Sequence, residues 1–213
     1  HQPMASASGR YVIAFNGEIY NHQALRRELE AAASLQQSWQ GHSDTETLLA
    51  AIEAWGLAAT LRRCAGMAAF ALWDRHERVL HLARDRFGEK PLYWGWLQAG
   101  GQRVLAFGSE LAALRALPGA ATPAVDPAAL AAFFRFGCIP APFSIQAGLQ
   151  QLPPGQLVSI PAGAEGCAPL QLPAPQPWWD LQAEAARATA LPVSAAFASE
   201  SEALEALEVT LQQ

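Results

Sequence analysis

Two neighbouring residues, Asn16 and Gly17, carry groups that could stabilise a developing negative charge. A glycine N–H and an asparagine side-chain amide that point the same way provide two donors for the oxyanion formed in acyl transfer. Glycine suits this position because a Cβ atom would obstruct the approach of a substrate to the backbone. Turns select the same residue types, so the pair taken alone favours a structural turn between a strand and the helix that follows.

Asp44 lies in the sequence "SDTE", which predicts the start of a helix. Ser43 and Glu46 have the spacing of a capping box, and an acidic residue in the first turn offsets the helix dipole. Alternatively, the Asp44 carboxylate could bind the α-ammonium group of an amino acid held at that helix end. The two roles are compatible, because Ser43 and Glu46 suffice for the cap and leave Asp44 free.

The composition argues against several classes of protein. The chain has 213 residues with 14 basic and 19 acidic side chains and no basic stripe, so nucleic acid is not expected as a partner. Its longest apolar run, residues 64–73, is about half the length of a membrane-spanning helix. The histidines show no metal-ligand spacing, and no glycine-rich phosphate loop with a lysine is present. We therefore expect no metal, no nucleic acid and no membrane contact.

The three cysteines, Cys64, Cys138 and Cys167, are far apart and form no C-x-x-C pair. They indicate reduced thiols in the cytoplasm rather than a disulfide framework. None has a neighbouring histidine, so each is expected to be a small residue of the hydrophobic core.

Hydrophobic periodicity predicts the elements of the first half of the chain. We expect a strand over residues 11–15, a helix over residues 21–33 and a second helix from Asp44 onward. Two strand pairs follow, "MAAFALW" with "RVLHLAR" and "PLYWGWL" with "RVLAFGS". Residues 67–73 are apolar at every position, which is typical of a strand buried on both faces. The pattern favours an α+β fold in which two packed sheets lie between outer helices.

The second half of the chain has weaker signals. Short helices are predicted after Glu110 and at Asp126, and "LPPGQLVSI" predicts a final strand. Residues 161–200 are rich in Ala, Pro, Gly and Gln, which is typical of a linker. Residues 201–213 resume a helical pattern. We expect one domain over residues 1–160, then this linker, then the first helix of a further domain.

Six motifs resemble, in the same order, those of glutamine-hydrolysing asparagine synthetases. They are "FNGEIYNH", "HSDTE", "GMAAFALWD", "ARDRFGEKPLYW", "FGSELAAL" and "LPPGQ". The resemblance runs from residue 1 to about residue 160 and returns at "PWWDL". It implies a class II glutamine amidotransferase domain with the N-terminal-nucleophile hydrolase fold, an αββα four-layer sandwich, here incomplete at its N-terminus.

The resemblance also implies roles for four residues. Asn16 and Gly17 match the oxyanion hole of the family, and Glu18 and Asp44 match positions that hold the backbone end of the glutamine substrate. The family's nucleophile is a cysteine at the mature N-terminus, which would lie upstream of His1. None of the three cysteines stands in a matching context, so we expect this chain alone to be inactive.

The resemblance implies further chemistry outside this chain. In the family, ammonia from glutamine reaches a C-terminal synthetase domain that converts aspartate to asparagine with ATP and Mg²⁺. That domain, the expected partner, is missing here, so no cofactor is expected in this segment. The resemblance is also compatible with a cytoplasmic location and with a homodimer.

Two other functions stay open at this point. The chain could belong to a paralogue that amidates a different carboxylate, or it could be a non-catalytic domain that serves as a scaffold. The presence of Asn16, Gly17, Glu18 and Asp44 together argues against the scaffold.

Overall fold

The computed structural model describes residues 1–32, 39–163, 173–190 and 197–211. The chain divides into two compact units, His1–Trp179 and Asp180–Gln213. The first unit contains the β-sheets, and the second contains the last two helices.

Two antiparallel sheets form the centre of the first unit. The strands are β1 Met4–Ala5, β2 Tyr11–Ile19, β3 Gly66–Asp74, β4 Val79–Arg84, β5 Tyr93–Ala99, β6 Gln102–Gly108, β7 Leu149–Gln151, β8 Gln156–Pro161 and β9 Gln176–Pro177. The larger sheet has the order β1-β2-β3-β4-β8-β9, and the smaller sheet has the order β6-β5-β7. The two predicted strand pairs are confirmed as the β3–β4 and β5–β6 hairpins.

The described chain contains five helices at predicted positions and two, Leu57–Arg63 and Leu181–Ala190, that were not predicted. In chain order the helices are α1 His22–Ala31, α2 Asp44–Trp55, α3 Leu57–Arg63, α4 Leu111–Arg115, α5 Pro127–Phe136, α6 Leu181–Ala190 and α7 Glu200–Leu211. The helices predicted after Glu110 and at Asp126 are confirmed as α4 and α5. Asp126 caps α5 by accepting hydrogen bonds from the N–H groups of Ala128 and Ala129.

The central strand β3 is buried on both faces, as its unbroken apolar sequence predicts. Ala68, Phe70 and Leu72 belong to the core beneath α1, α2 and α3. The alternate residues Ala69 and Ala71 belong to the core between the two sheets. Since side chains of a strand alternate between faces, one strand contributes to both cores.

A second helical layer covers the outer face of the smaller sheet. Leu114 of α4 packs with Leu97 of β5 and Ala106 of β6. The layers therefore run helix, sheet, sheet, helix, and the predicted α+β fold with αββα architecture is confirmed.

Asn16 and Gly17 lie inside a strand, so the predicted turn is wrong. β2 continues through both residues to Ile19, and they pair with Ala69 and Ala68 of β3. A Cβ atom built on Gly17 would overlap the carbonyl oxygen of the neighbouring strand. Glycine is needed here because two strands approach closely, and not because the chain reverses direction.

The start of α2 differs in one detail from the predicted capping box. Ser43 Oγ accepts a hydrogen bond from Glu46 N at 3.2 Å, as expected. The Glu46 carboxylate, however, accepts from the N–H groups of Gln40 at 2.6 Å and Gly41 at 3.0 Å. Glu46 therefore orders the preceding loop and does not return to the cap residue.

The range predicted as a linker, residues 161–200, contains regular structure. It includes β9 and α6, while residues 164–172 and 191–196 lie outside the described residues. Trp178 joins this segment to the sheet, because its N–H donates to Gly155 O and its indole Nε1 donates to Arg84 O. The helix predicted from residue 201 corresponds to α7, and its last two predicted residues are outside the described range.

Acid should destabilise this fold through Asp74 and Arg10. Arg10 Nη2 lies 2.7 Å from Asp74 Oδ2, and this hydrogen bond lowers the pKa of the Asp74 carboxyl from its ordinary value of 3.8 to about 2. A lowered folded-state pKa stabilises the fold above pH 3.8, and this contribution is lost as the pH falls towards 2. Because solvent around the partly exposed Arg10 weakens the interaction, we expect less than the full value of the pKa shift. The expected loss in the free energy of unfolding is about 1–2 kcal/mol. Urea unfolding at pH 7, 4, 3 and 2 measures it.

The matched variant for this prediction is Asp74→Asn, which cannot titrate. It should be less stable at pH 7 and should lose less stability than the parent chain between pH 4 and pH 2. An equal loss in both proteins would show that other carboxyl groups cause the acid sensitivity.

Candidate functional site

The second half of β2 has one edge paired with β3 and one edge that faces away from it. On the outer edge, Phe15 N donates to Gln2 Oε1 at 2.6 Å, and Gln2 Nε2 donates to Phe15 O at 2.8 Å. Ile19 N donates to Asp44 Oδ2 at 2.9 Å on the same edge. Backbone groups of a strand alternate between its two edges, so the N–H of Gly17, midway between these residues, also points to the outer edge.

The pairing on the opposite side agrees with this direction. Ala68, the partner of Gly17 on β3, directs its N–H and its carbonyl group towards the β4 side of the sheet. Asp85 N donates to Ala68 O at 2.7 Å, and Ala68 N donates to Asp85 Oδ2 at 3.1 Å. The Gly17–Ala68 pair is therefore a non-hydrogen-bonded pair of the antiparallel ladder. The sheet leaves the Gly17 N–H available as a donor.

The side chains of Asn16 and Glu18 lie on the face of β2 that is directed towards the smaller sheet. Ala69, the β3 partner of Asn16, belongs to the core between the sheets, which identifies this face. Both side chains are exposed. Asn16 Nδ2 donates to Ser109 Oγ at 2.9 Å, and within the described chain no side chain pairs with the Glu18 carboxylate. A side-chain amide and a free carboxylate thus flank Gly17.

Asp44 is brought to this edge by the start of α2. Its Oδ2 accepts from Ile19 N, and its Oδ1 accepts from Thr45 N at 2.7 Å. Ser43 is the cap residue, so Asp44 is not needed for that purpose. A carboxylate offers about four acceptor positions, which leaves capacity for a cationic ligand. The structure therefore brings all four predicted residues to one stretch of β2.

A cavity of about 550 Å³ lies between β1 and the loop before α2. It adjoins the start of α2, but none of the four candidate residues lines it. The residues that line it are His1, Pro3, Met4, Ala5, Ser6, Ala7, Gln40, Gly41, Ser43, Glu46 and Leu49. The candidate site is therefore the open edge of β2, and not this cavity.

The loop after β4 supports β3 behind this site through the buried carboxylate of Asp85. Asp85 Oδ1 accepts from the N–H groups of Phe87 and Glu89 at 3.1 and 3.0 Å. Its Oδ2 accepts from the N–H groups of Lys90 and Ala68 at 3.0 and 3.1 Å. Four backbone donors thus converge on one carboxylate, and one of them belongs to the strand that pairs with β2.

The neighbouring residue Arg84 binds backbone carbonyl groups, whereas Asp85 binds backbone N–H groups. Its guanidinium donates to the carbonyl oxygens of Lys90 at 2.8 Å, Leu152 at 2.7 Å and Gly88 at 2.6 Å. Burial lowers the pKa of this guanidinium, while Asp85 opposes the shift. Each of the two buried charges is satisfied mainly by the backbone of the loop that follows β4.

The cysteines differ from one another in the structure. Cys64 is buried, and burial raises the pKa of its thiol to about 12, with Arg86 opposing the shift. Cys138 is exposed, so the expectation that it is a core residue is wrong. Cys167 lies outside the described residues. A thiol with a raised pKa is a poor nucleophile at neutral pH, because the thiolate is the reactive form.

Metal sites and membrane spans were expected to be absent. Within residues 1–32, 39–163, 173–190 and 197–211, no three His, Cys, Asp or Glu side chains are grouped so that they could hold a metal ion. No helix among these residues is both long and apolar enough to cross a bilayer.

Two residues of the site, Gln2 and Ser109, were missed by the sequence analysis. Gln2 contacts a residue 13 positions away, and Ser109 contacts one 93 positions away. Ser109 lies within "FGSELAAL", a motif that supported the resemblance without indicating any partner. Local sequence patterns cannot reveal contacts between residues so far apart in the chain, although the motif that contains Ser109 was part of the resemblance.

The class of protein is given by comparison of the sequence with known families. A sequence profile described as "Glutamine amidotransferase domain" matches residues 1–170. The chain belongs to this glutamine amidotransferase family.

Curated relatives are glutamine-hydrolysing asparagine synthetases. The chain is 39% identical over 166 residues to a putative asparagine synthetase of Mycobacterium tuberculosis H37Rv, covering 76% of this chain and 25% of that protein. It is 35% identical over 159 residues to asparagine synthetase 1 of Bacillus subtilis, covering 75% of this chain and 24% of that protein. The chain thus spans about a quarter of the length of these relatives.

Solved structures show the same fold at lower sequence identity. A glutamine phosphoribosylpyrophosphate amidotransferase from B. subtilis, complexed with ADP and GMP, matches with a TM-score of 0.50 and 21% identity. The match covers 84% of this chain and 32% of that chain. A structure described as the allosteric regulatory enzyme of purine biosynthesis matches with a TM-score of 0.52, 21% identity and coverage of 84% and 31%. These matches support the fold.

Proposed function

We propose that this chain is the glutamine-hydrolysing part of an asparagine synthetase-like enzyme. One observation carries the proposal: the Gly17 N–H is left unpaired by the sheet, and along β2 it lies between Asn16 and Ile19, the residue whose N–H donates to Asp44. An unpaired N–H in the interior of a strand has a cost unless water or a ligand accepts it. A substrate oxygen would provide that acceptor.

The proposed chemistry is attack of a cysteine thiolate on the side-chain amide carbon of glutamine. The carbonyl oxygen becomes an oxyanion, which accepts hydrogen bonds from Asn16 Nδ2 and Gly17 N. Collapse breaks the C–N bond, releases ammonia after proton transfer and leaves a thioester, which water converts to glutamate. Cys64 does not fit the nucleophile, since it is buried with a raised pKa. The resemblance implies that the nucleophile is a cysteine at a mature N-terminus.

The two carboxylates would hold the other end of the substrate. Asp44 faces the open edge with spare acceptor capacity, and the exposed Glu18 lies on the adjacent face of β2. Both suit the α-ammonium group of glutamine, which would place the side-chain amide towards Gly17. A charge-assisted hydrogen bond of this kind is stronger than one between neutral groups.

The remaining steps of the proposal concern a second catalytic domain. Ammonia would pass to a synthetase domain that uses ATP and Mg²⁺ to convert aspartate to asparagine. No residue of the present chain is assigned to ATP or Mg²⁺. A cytoplasmic location accords with the free thiols of Cys64 and Cys138.

The test of this function is glutamate release by the full-length enzyme that contains this chain. Purified enzyme incubated with glutamine should release glutamate and ammonia in equal amounts. An enzyme that releases no glutamate from glutamine and accepts only ammonia as nitrogen donor would contradict the proposal.

Replacing Asp44 by asparagine in the full-length enzyme should chiefly raise KM for glutamine. The Asp44 carboxylate would contact the substrate ammonium in both the ground state and the transition state, so its loss weakens binding with little effect on kcat. We expect KM to rise by about tenfold, which corresponds to roughly 1.4 kcal/mol. Steady-state glutaminase kinetics measure the change.

Asp126→Asn is the matched control, since Asp126 caps α5 away from β2. It should leave KM unchanged. If Asp44→Asn instead lowers the free energy of unfolding while KM stays at its original value, then Asp44 only joins α2 to β2.

A further inference from the structure

The usefulness of an asparagine as an oxyanion donor depends on how firmly its amide is held. Rotation about the terminal torsion of asparagine is broad, with no strong intrinsic preference. Asn16 is exposed on its strand face, so packing does not fix the amide either. An external hydrogen bond must therefore set the direction of its N–H groups.

Ser109 provides this hydrogen bond from the other sheet. Its Oγ accepts from Asn16 Nδ2 at 2.9 Å, which joins β2 of the larger sheet to the end of β6 in the smaller one. Ser109 follows Gly108, which pairs with Tyr93 of β5. It precedes α4, whose Leu114 is buried in the outer core. The serine is therefore held on both sides by packed elements.

The chemistry of this contact suits a donor that must be ready before the substrate arrives. The amide nitrogen of asparagine carries two hydrogens, and a serine hydroxyl accepts one of them. The second hydrogen stays available, in a plane fixed by the first. We propose that Ser109 is a positioning residue that holds the Asn16 amide in its donating orientation for the oxyanion of glutamine hydrolysis. The inference rests on the proposed function and extends it to a residue of the second sheet.

A positioning role predicts a specific kinetic result. Ser109→Ala removes the acceptor, so the Asn16 amide can rotate and the oxyanion loses a preorganised donor. In the full-length enzyme kcat for glutamine hydrolysis should fall by about tenfold, which is less than the fall for Asn16→Ala, with KM within about twofold. Synthesis driven by added ammonia should stay at the parent rate, because it does not use this site.

Three further variants make the test specific. Ser109→Thr retains the hydroxyl and should restore most of the rate, while Ser109→Cys keeps nearly the same size with a weaker acceptor and should remain slow. Ser159→Ala is the matched control, because it also removes a serine hydrogen bond, to His81 Nδ1 at 2.8 Å, in a strand away from β2. It should leave kcat unchanged.

The double variant Asn16→Ala/Ser109→Ala distinguishes positioning from an independent effect. If Ser109 acts through Asn16, the double variant should be no slower than Asn16→Ala alone. The proposal would be overturned if the losses in kcat of the two single variants multiply in the double variant, or if Ser109→Ala leaves kcat unchanged. It would also be overturned if Ser109→Ala slows ammonia-driven synthesis as much as glutamine hydrolysis. If Ser109→Ala does not fold, the difference between Ser109→Thr and Ser109→Cys gives the same answer. If the parent enzyme releases no glutamate from glutamine, the proposed function itself fails, and that result is seen before any variant is compared.

Discussion

Replacing Asn16 by alanine in the full-length enzyme should lower kcat for glutamine hydrolysis by about 10²–10³, with little change in KM. Asn16 Nδ2 would donate to charge that develops only in the transition state, and losing one such donor costs roughly 3–4 kcal/mol. The strand itself should tolerate the change, since the side chain is exposed and its backbone pairs with Ala69. Steady-state measurement of glutamate release gives both constants.

Asn21→Ala is the matched control for this prediction. Asn21 also uses its side chain in two hydrogen bonds, with Arg63 O and Ala65 N, but it lies beyond the end of β2. It should affect stability more than kcat. If Asn16→Ala mainly raises KM, or slows ammonia-driven synthesis equally, then Asn16 is not an oxyanion donor.

Replacing Asp85 by alanine should cause a large loss of stability. Asp85 is 6% exposed, and its carboxylate accepts four backbone N–H groups. A buried donor left without a partner costs about 1–3 kcal/mol. Water can reach part of the opened loop, so we expect a loss of about 3 kcal/mol or more in the free energy of unfolding. Urea denaturation followed by circular dichroism measures it.

Two other aspartate variants make this prediction specific. Asp85→Asn keeps the shape and one acceptor oxygen, so it should lose less stability than Asp85→Ala. Asp126→Ala removes a helix cap that also accepts two N–H groups but is only partly buried, and it should cost about 1 kcal/mol. Equal losses for Asp85→Ala and Asp126→Ala would show that the four donors find other acceptors.

Much of the fold could be predicted because its signals are local. The cap at Ser43 and the unbroken apolar sequence of β3 each specify their element within a few residues. The apolar sequence also indicated the layers, since a strand buried on both faces requires a cover on each side. By contrast, the two-residue strands β1 and β9 have no periodicity to detect, and they form only because β2 and β8 provide an edge.

The candidate site shows where local signals are insufficient. The sequence named the four candidate residues, but it placed Asn16 and Gly17 in a turn, because Asn-Gly is a strong turn signal in isolation. Pairing with β3, more than 50 positions away in the chain, overrides that preference. The same limit applies to Ser109, because a hydrogen bond between two sheets leaves no periodic pattern in either segment.

The transfer of isotope from glutamine tests the proposed glutamine hydrolysis and ammonia transfer together. The full-length enzyme would be supplied with aspartate, ATP, Mg²⁺ and glutamine labelled with ¹⁵N in its side-chain amide, and the product would be analysed by mass spectrometry. We expect asparagine that carries ¹⁵N in its amide, and loss of this labelled product in Asn16→Ala while unlabelled ammonia still supports synthesis. Labelled asparagine formed at the parent rate by Asn16→Ala, or no labelled asparagine from the parent enzyme, would contradict the proposed function.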